Sequence, residues 1–500
     1  MILSHFLNAN RVSASLENAL KEIAMSVQAP SEIEIRLRAL LERQRSAFLA
    51  AGPPSLKQRR GDLMRLKGAL LAHREDFVAA INADFGHRSR QETSLLELSP
   101  VIEGIKYLHR NLALWMRPER RKVSFHFFPG STRVLYQPLG VVGVISPWNY
   151  PVALALMPLA TALAAGNRVM IKPSEITPAT SALMSAVLGE IFSLDQAAVA
   201  TGEADVGMAF AALPFDHLVF TGSTPVGRSV MRAASDNLVP VTLELGGKSP
   251  VIVERGSCLK TTARRIAYGK LANGGQTCIA PDYVLAAAQE INDFVAAYAA
   301  EVEKLYPDIA ANPDYTSIIN DHHYARLVGL LDDARAKGAR VIEIGAAPKE
   351  GERTNARTLA PAIVLGATDG MNVMKEEIFG PILPVIPYAR LEEAVAYVNA
   401  RPRPLALYFF GPDGPGRRMV LARTTSGGVS INETILHYAQ DDIPFGGVGA
   451  SGMGAYHGHE GFKTLSHSRG VFEQAKVNLT DVVRPPFGKL FERLVDFLLR

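Results

Sequence analysis

The chain has 500 residues, of which 48% are hydrophobic and 20% charged, so it is long enough for roughly two to four globular domains. Its 53 basic and 49 acidic residues leave a formal net charge of only +4, which argues against a dedicated nucleic-acid-binding protein. The two cysteines exclude a disulfide framework beyond one bridge, and no CxxC pair indicates a metal or redox motif.

The N-terminal residues 1–30 are expected to form a weakly constrained extension. They lack the basic flank and apolar core that are typical of a secretory signal. The longest apolar stretch, Val152 to Gly166, is shorter than the ~18–20 residues of a membrane helix. We therefore expect a cytoplasmic protein, whose thiols stay reduced.

The segment from about Ile33 to Arg117 is predicted to be helical. Ser31-Glu-Ile-Glu is typical of a capping box, and Leu63 and Leu66 belong to an apolar set that recurs at helical spacing. Residues 122–138 alternate and are rich in Val, Phe and Tyr, which predicts a β-hairpin.

From Val141 onward, strands are predicted to alternate with helices. Such alternation favours βαβ units in a doubly wound parallel sheet, whose ligands lie at the carboxyl ends of the strands. The predicted strands are Val141–Ile145, Arg168–Ile171, Ala197–Thr201, His217–Phe220 and Pro240–Leu243, and the predicted helices are Val152–Ala165, Ala179–Ile191, Glu203–Ala211 and Pro225–Ala234.

A second series of strands and helices extends from Pro250 to about Val429, and it predicts another α/β domain. It contains the strands Val251–Val253, Ala362–Leu365 and Leu383–Tyr388 and the helices Phe294–Leu305 and Leu391–Asn399. The C-terminal segment Gly488–Arg500 carries an apolar stripe with basic residues beside it, which predicts an amphipathic helix. Packing on the body or on a second subunit is the favoured interpretation, and association with a membrane surface is the alternative.

Two candidate catalytic residues follow from their local sequence. Gly274-Gly-Gln-Thr-Cys278 places a cysteine after a glycine-rich turn, where a thiolate could act as a nucleophile. Alone, such a cysteine is more often a buried structural residue, as expected for Cys258. Glu244-Leu-Gly-Gly-Lys-Ser-Pro250 places a carboxylate directly after a strand, where it could serve as a general base or remain merely ion-paired.

Three further segments follow strands of the first series. Pro147-Trp-Asn-Tyr-Pro151 holds Asn149 on a stiff support, which suits an oxyanion donor or a simple turn. Lys172-Pro-Ser-Glu175 suits the hydroxyls of an adenosine ribose. The segment Phe220–Gly227 runs from a strand into a helix N-terminus that favours phosphate, although GSTPVG alone is a weak signal.

Seven segments together resemble the aldehyde dehydrogenase superfamily over most of the chain, from about Leu63 to Gly470. In chain order they are PWNYP (147–151), KPSE (172–175), FTGSTPVG (220–227), ELGGKSP (244–250), GGQTC (274–278), EEIFGP (376–381) and PFGGVG (444–449). The resemblance implies a doubly wound cofactor-binding domain (31–121 and 139–243, with part of 437–455), a second α/β catalytic domain (244–436), a small β oligomerisation arm (122–138 and 456–475) and terminal extensions (1–30 and 476–500).

The resemblance also implies roles for individual residues. Cys278 would be the nucleophile, Glu244 the general base and Asn149 the oxyanion donor. Lys172 and Glu175 would bind the adenosine ribose. The remaining residues implied to contact the cofactor are Ser146, Trp148, Gly222, Ser223, Gly227, Leu245, Glu377, which would hold the nicotinamide ribose, and Phe379, which would pack by the nicotinamide.

Within the superfamily the chain resembles most the usually dimeric class-3 branch and its bacterial coniferyl-aldehyde dehydrogenases. This closer resemblance rests on Ser451–Gly458, Gln276–Tyr283 and His437–Asp442. The resemblance implies an NAD-dependent homodimer, with NADP as the alternative cofactor. It implies an aromatic aldehyde such as coniferyl aldehyde as substrate, with medium- or long-chain aliphatic aldehydes as the alternative.

Three other functions are set against this prediction. In a CoA-acylating relative CoA would replace water, but such relatives generally lack the base expected at Glu244. A non-catalytic structural relative, like the lens crystallins of this family, would not need Cys278, Glu244 and Asn149 together. A cysteine hydrolase would leave the cofactor segments unexplained. His457-Gly-His459 is a weak metal signal, and we expect structural roles for both histidines.

Overall fold

The computed structural model describes residues 31–345, 357–478 and 484–499. The predicted extension over residues 1–30 lies outside the described residues. Of the predicted C-terminal extension, residues 479–483 and 500 are also outside them.

The first part of the described chain is helical, as the sequence predicts. Ser31 and Glu34 form a reciprocal capping box, with Ser31 Oγ accepting from the Glu34 N–H at 3.2 Å and Glu34 Oε2 accepting from the Ser31 N–H at 3.0 Å. A short helical turn and a π-helix, Thr93–Leu98, lead into the last of these helices. The helices are α1 (Glu32–Ala51), α2 (Leu56–Ala72), α3 (Arg74–Phe85) and α4 (Ser99–Trp115).

The second part is the predicted doubly wound sheet. Its strand order is β15-β7-β6-β3-β4-β5, and all strands are parallel except the short β15, which pairs antiparallel with β7. The chain order reverses beside β3, where such folds open a ligand crevice. Its elements are β3 (Val141–Ile145), α5 (Ala153–Ala165), β4 (Arg168–Lys172), α6 (Pro178–Ile191), β5 (Ala197–Val199), α7 (Ala204–Ala211), β6 (His217–Gly222), α8 (Thr224–Ser235), β7 (Val241–Leu245) and β15 (Gly452–Met453).

A second α/β sheet has the strand order β10-β11-β12-β9-β8-β13-β14, and only β10 is antiparallel to its neighbour. The sequence prediction located β8, β11, β12, α10 and α13 but did not resolve the others. Its elements are β8 (Pro250–Val253), α9 (Leu259–Leu271), β9 (Tyr283–Ala287), α10 (Ile291–Leu305), α11 (Asp321–Ala336), β10 (Arg340–Glu343), β11 (Ala362–Leu365), the short α12 (Asn372–Lys375), β12 (Ile382–Tyr388), α13 (Leu391–Asn399), β13 (Ala406–Phe410), α14 (Pro415–Arg423) and β14 (Gly428–Ile431).

A third, antiparallel sheet consists of β1 (Glu119–Arg121), β2 (Ser131–Pro138) and β16 (Ser466–Glu473). The hairpin predicted over 122–138 therefore begins too late, because its first strand precedes Lys122. The aromatic residues Phe125 to Phe128, which suggested strand alternation, lie in the exposed connection instead.

Two further helices complete the described chain: α15 (Gly458–Thr464) and α16 (Lys489–Leu498). Phe462 on α15 packs into the core of the first sheet. The predicted C-terminal helix is present as α16, and none of its side chains is buried. No helix in the described part of the chain is long and apolar enough to cross a membrane. The domain boundaries given above stay predictions.

A buried ion pair joins the helical part to the first sheet. Arg88 Nη1 lies 3.0 Å from Glu97 Oε1, and both side chains are fully buried. The same Arg88 nitrogen donates to the Asn149 carbonyl at 3.0 Å. The other Glu97 oxygen accepts from the backbone N–H groups of Val152 and Ala153 at 3.1 and 2.8 Å, so it caps the start of α5.

We predict that Glu97→Ala lowers the free energy of unfolding by about 3–5 kcal/mol, because Arg88 would stay buried without its counter-charge. Urea denaturation of the two proteins measures the difference. Glu75→Ala is the matched control: Glu75 pairs with Arg90 at 2.6 Å on the surface, and its loss should cost less than about 1 kcal/mol. Equal effects of the two substitutions would contradict the prediction.

Candidate active site

A cleft of about 610 Å³ lies between the two α/β sheets. The first sheet contributes the segments that follow β3, β6 and β7, at the carboxyl ends of its strands. The second sheet contributes segments that precede β9, β12 and β13, so the amino ends of its strands face the same cleft. Of the predicted site residues, those lining the cleft are Trp148, Asn149, Gly222, Ser223, Glu244, Cys278, Glu377 and Phe379.

The turn before Cys278 is formed by residues in the left-handed region of the backbone. Asn273, Gly274 and Gly275 have φ angles of 54°, 60° and 80°. A Cβ atom on Gly275 would lie 2.4 Å from the Gly380 carbonyl oxygen, so the turn also packs against the loop that carries Phe379. The glycines of GGQTC are therefore required by both backbone conformation and space.

Hydrogen bonds join the loop that carries Cys278, residues 273–278, to the segment after β3. Asn149 Nδ2 donates to the Gln276 carbonyl at 3.1 Å, and the hydroxyls of Tyr150 and Thr277 are 2.7 Å apart. Asn273 Nδ2 donates in turn to the Asn149 carbonyl at 3.0 Å. The predicted oxyanion donor and Cys278 thus share one buried, hydrogen-bonded frame.

Glu244 lies near the end of β7 and is only 3% exposed. Neither of its carboxylate oxygens has a hydrogen-bond partner among the described residues. Burial raises its pKa well above the ordinary value for a glutamate. A carboxyl group in this state is suited to accept a proton from a water molecule in the cleft.

Glu377 lies against the turn that follows Glu244. A Cβ atom on Gly246 would lie 2.0 Å from Glu377 Oε2, so only a glycine leaves space for the carboxylate. Burial, followed by the charge of Asp282, raises the pKa of Glu377 to about 8, and a hydrogen bond from the Gly247 N–H opposes this shift.

A second ion pair holds the loop that carries Glu377. The Lys248 ammonium contacts the Asp282 carboxylate and donates to the carbonyls of Val373 and Glu376 at 2.8 and 2.9 Å. The other Asp282 oxygen accepts from the Ile378 N–H at 2.9 Å. The pair therefore joins the segments after Glu244, after Cys278 and around Glu377.

Burial is the main influence on the pKa of the Cys278 thiol. Burial, then the charges of Glu377 and Glu244, raises its pKa to about 12, although backbone N–H groups oppose the shift. In this environment the thiol is protonated at neutral pH, and its proton must leave before it can attack a carbonyl.

The predicted ribose and phosphate contacts lie farther along the first sheet. Lys172 Nζ is 3.0 Å from Glu175 Oε2 at the end of β4. The N-cap Ser223 of α8 makes no side-chain capping hydrogen bond, which leaves the first N–H groups of this 12-residue helix for an anion. Ser146, Lys172, Glu175, Gly227 and Leu245 do not line the cleft, and Leu245 packs against Gly227. These features fit a dinucleotide.

An aromatic cluster closes the second side of the cleft. The Trp148 ring lies 5.4 Å from that of Phe379 and 4.9 Å from that of His323. Phe379 has a φ of 52°, a strained value for a bulky residue. Sequence analysis missed His323 and Arg326 because α11 was not predicted; only the Asn320 cap, which accepts from the His323 N–H, signals that helix.

Comparison with known proteins gives a consistent result. The sequence profile of the Aldehyde dehydrogenase family matches residues 14–471. The chain is 54% identical over 474 residues to a probable coniferyl aldehyde dehydrogenase of Pseudomonas aeruginosa, covering 95% of this chain and 98% of that one. It is 48% identical to a coniferyl aldehyde dehydrogenase of Pseudomonas sp. strain HR199, covering 93% and 96%. The substrate-bound structure of Staphylococcus aureus AldH superposes with a TM-score of 0.86 at 35% identity, covering 92% and 99%.

We predict that Glu377→Gln lowers the pKa of Cys278, because it removes a negative charge beside the sulfur. At about pH 9, where Glu377 is mostly ionised, alkylation by iodoacetamide should become about threefold faster or more, the change produced by half a pKa unit. Cys258, expected from the sequence to be buried, is exposed, so the rate is measured by mass spectrometry of the Cys278 peptide in a Cys258→Ser background. Glu376→Gln, at the exposed neighbouring carboxylate, should leave it almost unchanged. A slower reaction of Glu377→Gln would contradict the prediction.

Proposed function

Because the chain belongs to the aldehyde dehydrogenase family, we propose that it oxidises an aldehyde to the carboxylic acid with NAD(P) as hydride acceptor. The observation that carries this proposal is the arrangement of Cys278, Asn149 and Glu244 around one cleft, between segments that fit a dinucleotide. No second function is favoured by a separate observation.

The cofactor would lie across the carboxyl edge of the first sheet. Lys172 and Glu175 would bind the adenosine ribose, and Gly222, Ser223 and Gly227 would adjoin the pyrophosphate at the start of α8. Ser146, Trp148, Leu245, Glu377 and Phe379 would complete the contacts, with Glu377 at the nicotinamide ribose. NAD is the preferred form, because the Glu175 carboxylate would repel a 2′-phosphate.

In the first half of the reaction the Cys278 thiol gives its proton to a water molecule in the cleft, and the resulting thiolate attacks the aldehyde carbon. The oxygen becomes an anion, stabilised by the N–H of Asn149 Nδ2 that does not bond to Gln276 and by the backbone N–H of Cys278. NAD(P), held by the residues named above, would supply the acceptor for the hydride that leaves this tetrahedral carbon. A thioester on Cys278 remains.

In the second half Glu244 takes a proton from water, and the resulting nucleophile hydrolyses the thioester. The unpartnered carboxylate oxygens and the raised pKa of Glu244 support this role. The same carboxylate argues against a CoA-acylating reaction, in which CoA would take the place of water.

The relatives named above support an aromatic aldehyde, such as coniferyl aldehyde, as the substrate class.

We also propose that the protein is a cytoplasmic homodimer. The third sheet is the candidate interface, since its connection exposes Phe125, Phe127 and Phe128. A reducing compartment suits a catalytic thiol.

Glu244→Gln is expected to keep a stoichiometric burst of NADH but to slow steady-state turnover by on the order of a hundredfold or more, because only thioester hydrolysis needs the base. Stopped-flow absorbance at the NADH band separates the two phases. The exposed Glu303→Gln on α10 is the control and should behave as the wild type. Loss of the burst, or undiminished turnover, would argue against this role of Glu244.

A panel of aromatic and aliphatic aldehydes, assayed with NAD and NADP, tests substrate and cofactor together. We expect kcat/KM to be on the order of tenfold higher for coniferyl aldehyde than for hexanal or decanal, and higher with NAD than with NADP. Free acid should form without CoA. Absence of NAD(P) reduction with every aldehyde would refute the proposed function, and a preference for aliphatic aldehydes would refute only the substrate class.

A further inference from the structure

A second cavity, of about 130 Å³, lies between α4, α5 and the segments before β15 and α15. Its walls include Met157, Tyr438, Asp441 and His457. Its volume is slightly below the roughly 150 Å³ of a cavity that is known to hold one benzene ring. No residue of this cavity belongs to the machinery proposed above, so its polar groups need a separate explanation.

His457 is the most unusual of these groups. It is only 3% exposed, yet neither ring nitrogen has a hydrogen-bond partner among the described residues. The rings of Tyr438, Phe445 and Tyr456 enclose it at centroid distances of 4.9, 5.3 and 4.6 Å. A buried polar group without a partner is costly, so the imidazole requires a hydrogen-bonding partner, and the cavity beside it has room for one.

The imidazole is suited to a neutral hydroxyl. Burial lowers the pKa of His457 to about 4, so at neutral pH one ring nitrogen accepts a hydrogen bond and the other donates one. Asp441 supplies a second acceptor at the same cavity. Burial and the charge of Glu103 raise the Asp441 pKa to about 6, and Arg110 opposes that shift.

The second cavity adjoins the catalytic cleft. Leu154 lines the cleft and Met157 lines the cavity, and three residues along α5 separate them by only about 4.5 Å of helix rise. Tyr438 borders the cavity, and Tyr438 and Cys278 both pack against the hydrophobic core of the second sheet. A molecule that reaches from Cys278 past Tyr438 would therefore enter this cavity.

We propose that this cavity binds the far end of the aldehyde and recognises a hydroxyl group on an aromatic ring, with His457 as the acceptor and Asp441 beside it. The proposal rests on the proposed function and specifies its substrate class as phenolic aldehydes. An aldehyde without the hydroxyl would leave His457 unpaired, and sites of this kind discriminate most strongly against such analogues.

The test compares 4-hydroxycinnamaldehyde with cinnamaldehyde, which differ only in the ring hydroxyl. The readout is the ratio of their kcat/KM values, because a general loss of activity cancels in it. Comparing the ratio between variant and wild type also cancels the intrinsic reactivity of the two carbonyls. We expect His457→Phe to lower the ratio by about tenfold or more, and Asp441→Asn to lower it by a smaller factor.

The matched control is His459→Phe. His459 lies two residues away, stacks on Trp115 at 5.1 Å and does not line the cavity, so the ratio should stay that of the wild type. An unchanged ratio in His457→Phe, even with lower activity on both aldehydes, would assign His457 a structural role and overturn the proposal. Should that variant fail to fold, the ratio of the two kcat/KM values in Asp441→Asn tests the proposal instead. Oxidation of neither aldehyde, nor of any other, would instead refute the proposed function.

Discussion

The buried pair of Arg88 and Glu97 is the constraint on which the position of Asn149, the proposed oxyanion donor, depends. Burial raises the pKa of Glu97 to about 7 in spite of the Arg88 charge and of two backbone N–H groups, so desolvation outweighs what the pair recovers. A gain in folding stability alone therefore does not explain why this ion pair is buried. Its contacts with the Asn149 carbonyl and with the start of α5 fix the segment between β3 and α5 from both sides. That segment carries Asn149 and Tyr150. Their hydrogen bonds to Gln276 and Thr277 extend the constraint to the loop that carries Cys278.

Negative charge is the second organising feature of the cleft. Burial, followed by the charges of Glu377 and Glu244, raises the pKa of Cys278, and the Lys248–Asp282 pair holds the loop that carries Glu377. Such a thiol is protected from reacting at neutral pH, because it becomes a thiolate only when a base takes its proton or a positive group binds beside it. In the proposed reaction this property would limit unspecific modification of Cys278 before an aldehyde is bound. Glu377 packs against Gly246, two residues after Glu244, so the positions of both carboxyl groups depend on the same turn.

Much of the fold and part of the site could be predicted from the sequence. Val141–Ile145, Ala362–Leu365 and Leu391–Asn399 have the predicted bounds, since apolar runs between clear turn signals leave little choice. The rule that ligands lie at the carboxyl ends of parallel strands correctly directed attention to Asn149 and Ser223. It gives no reason for Cys278 and Glu377, which precede their strands, because the second sheet presents its amino ends to the cleft. Local pattern cannot show how two sheets face each other.

The same limit explains why the second cavity was not visible in the sequence. Tyr438, Asp441 and His457 are separated along the chain from Ser99 and Met157, and only the packing of α4 against α5 brings them to one place. His457-Gly-His459 was predicted to be structural because two histidines two residues apart are a weak signal. The structure separates them: His459 has a stacking partner, whereas His457 is buried with both nitrogens unpaired. The residues proposed to act on the aldehyde group lie in segments shared with the superfamily, while the residues around this cavity are proposed to bind the part of the substrate that differs between aldehydes. In this proposal the contact at His457 is separate from the chemistry at Cys278, since the hydroxyl and the carbonyl would be bound by different elements of the fold.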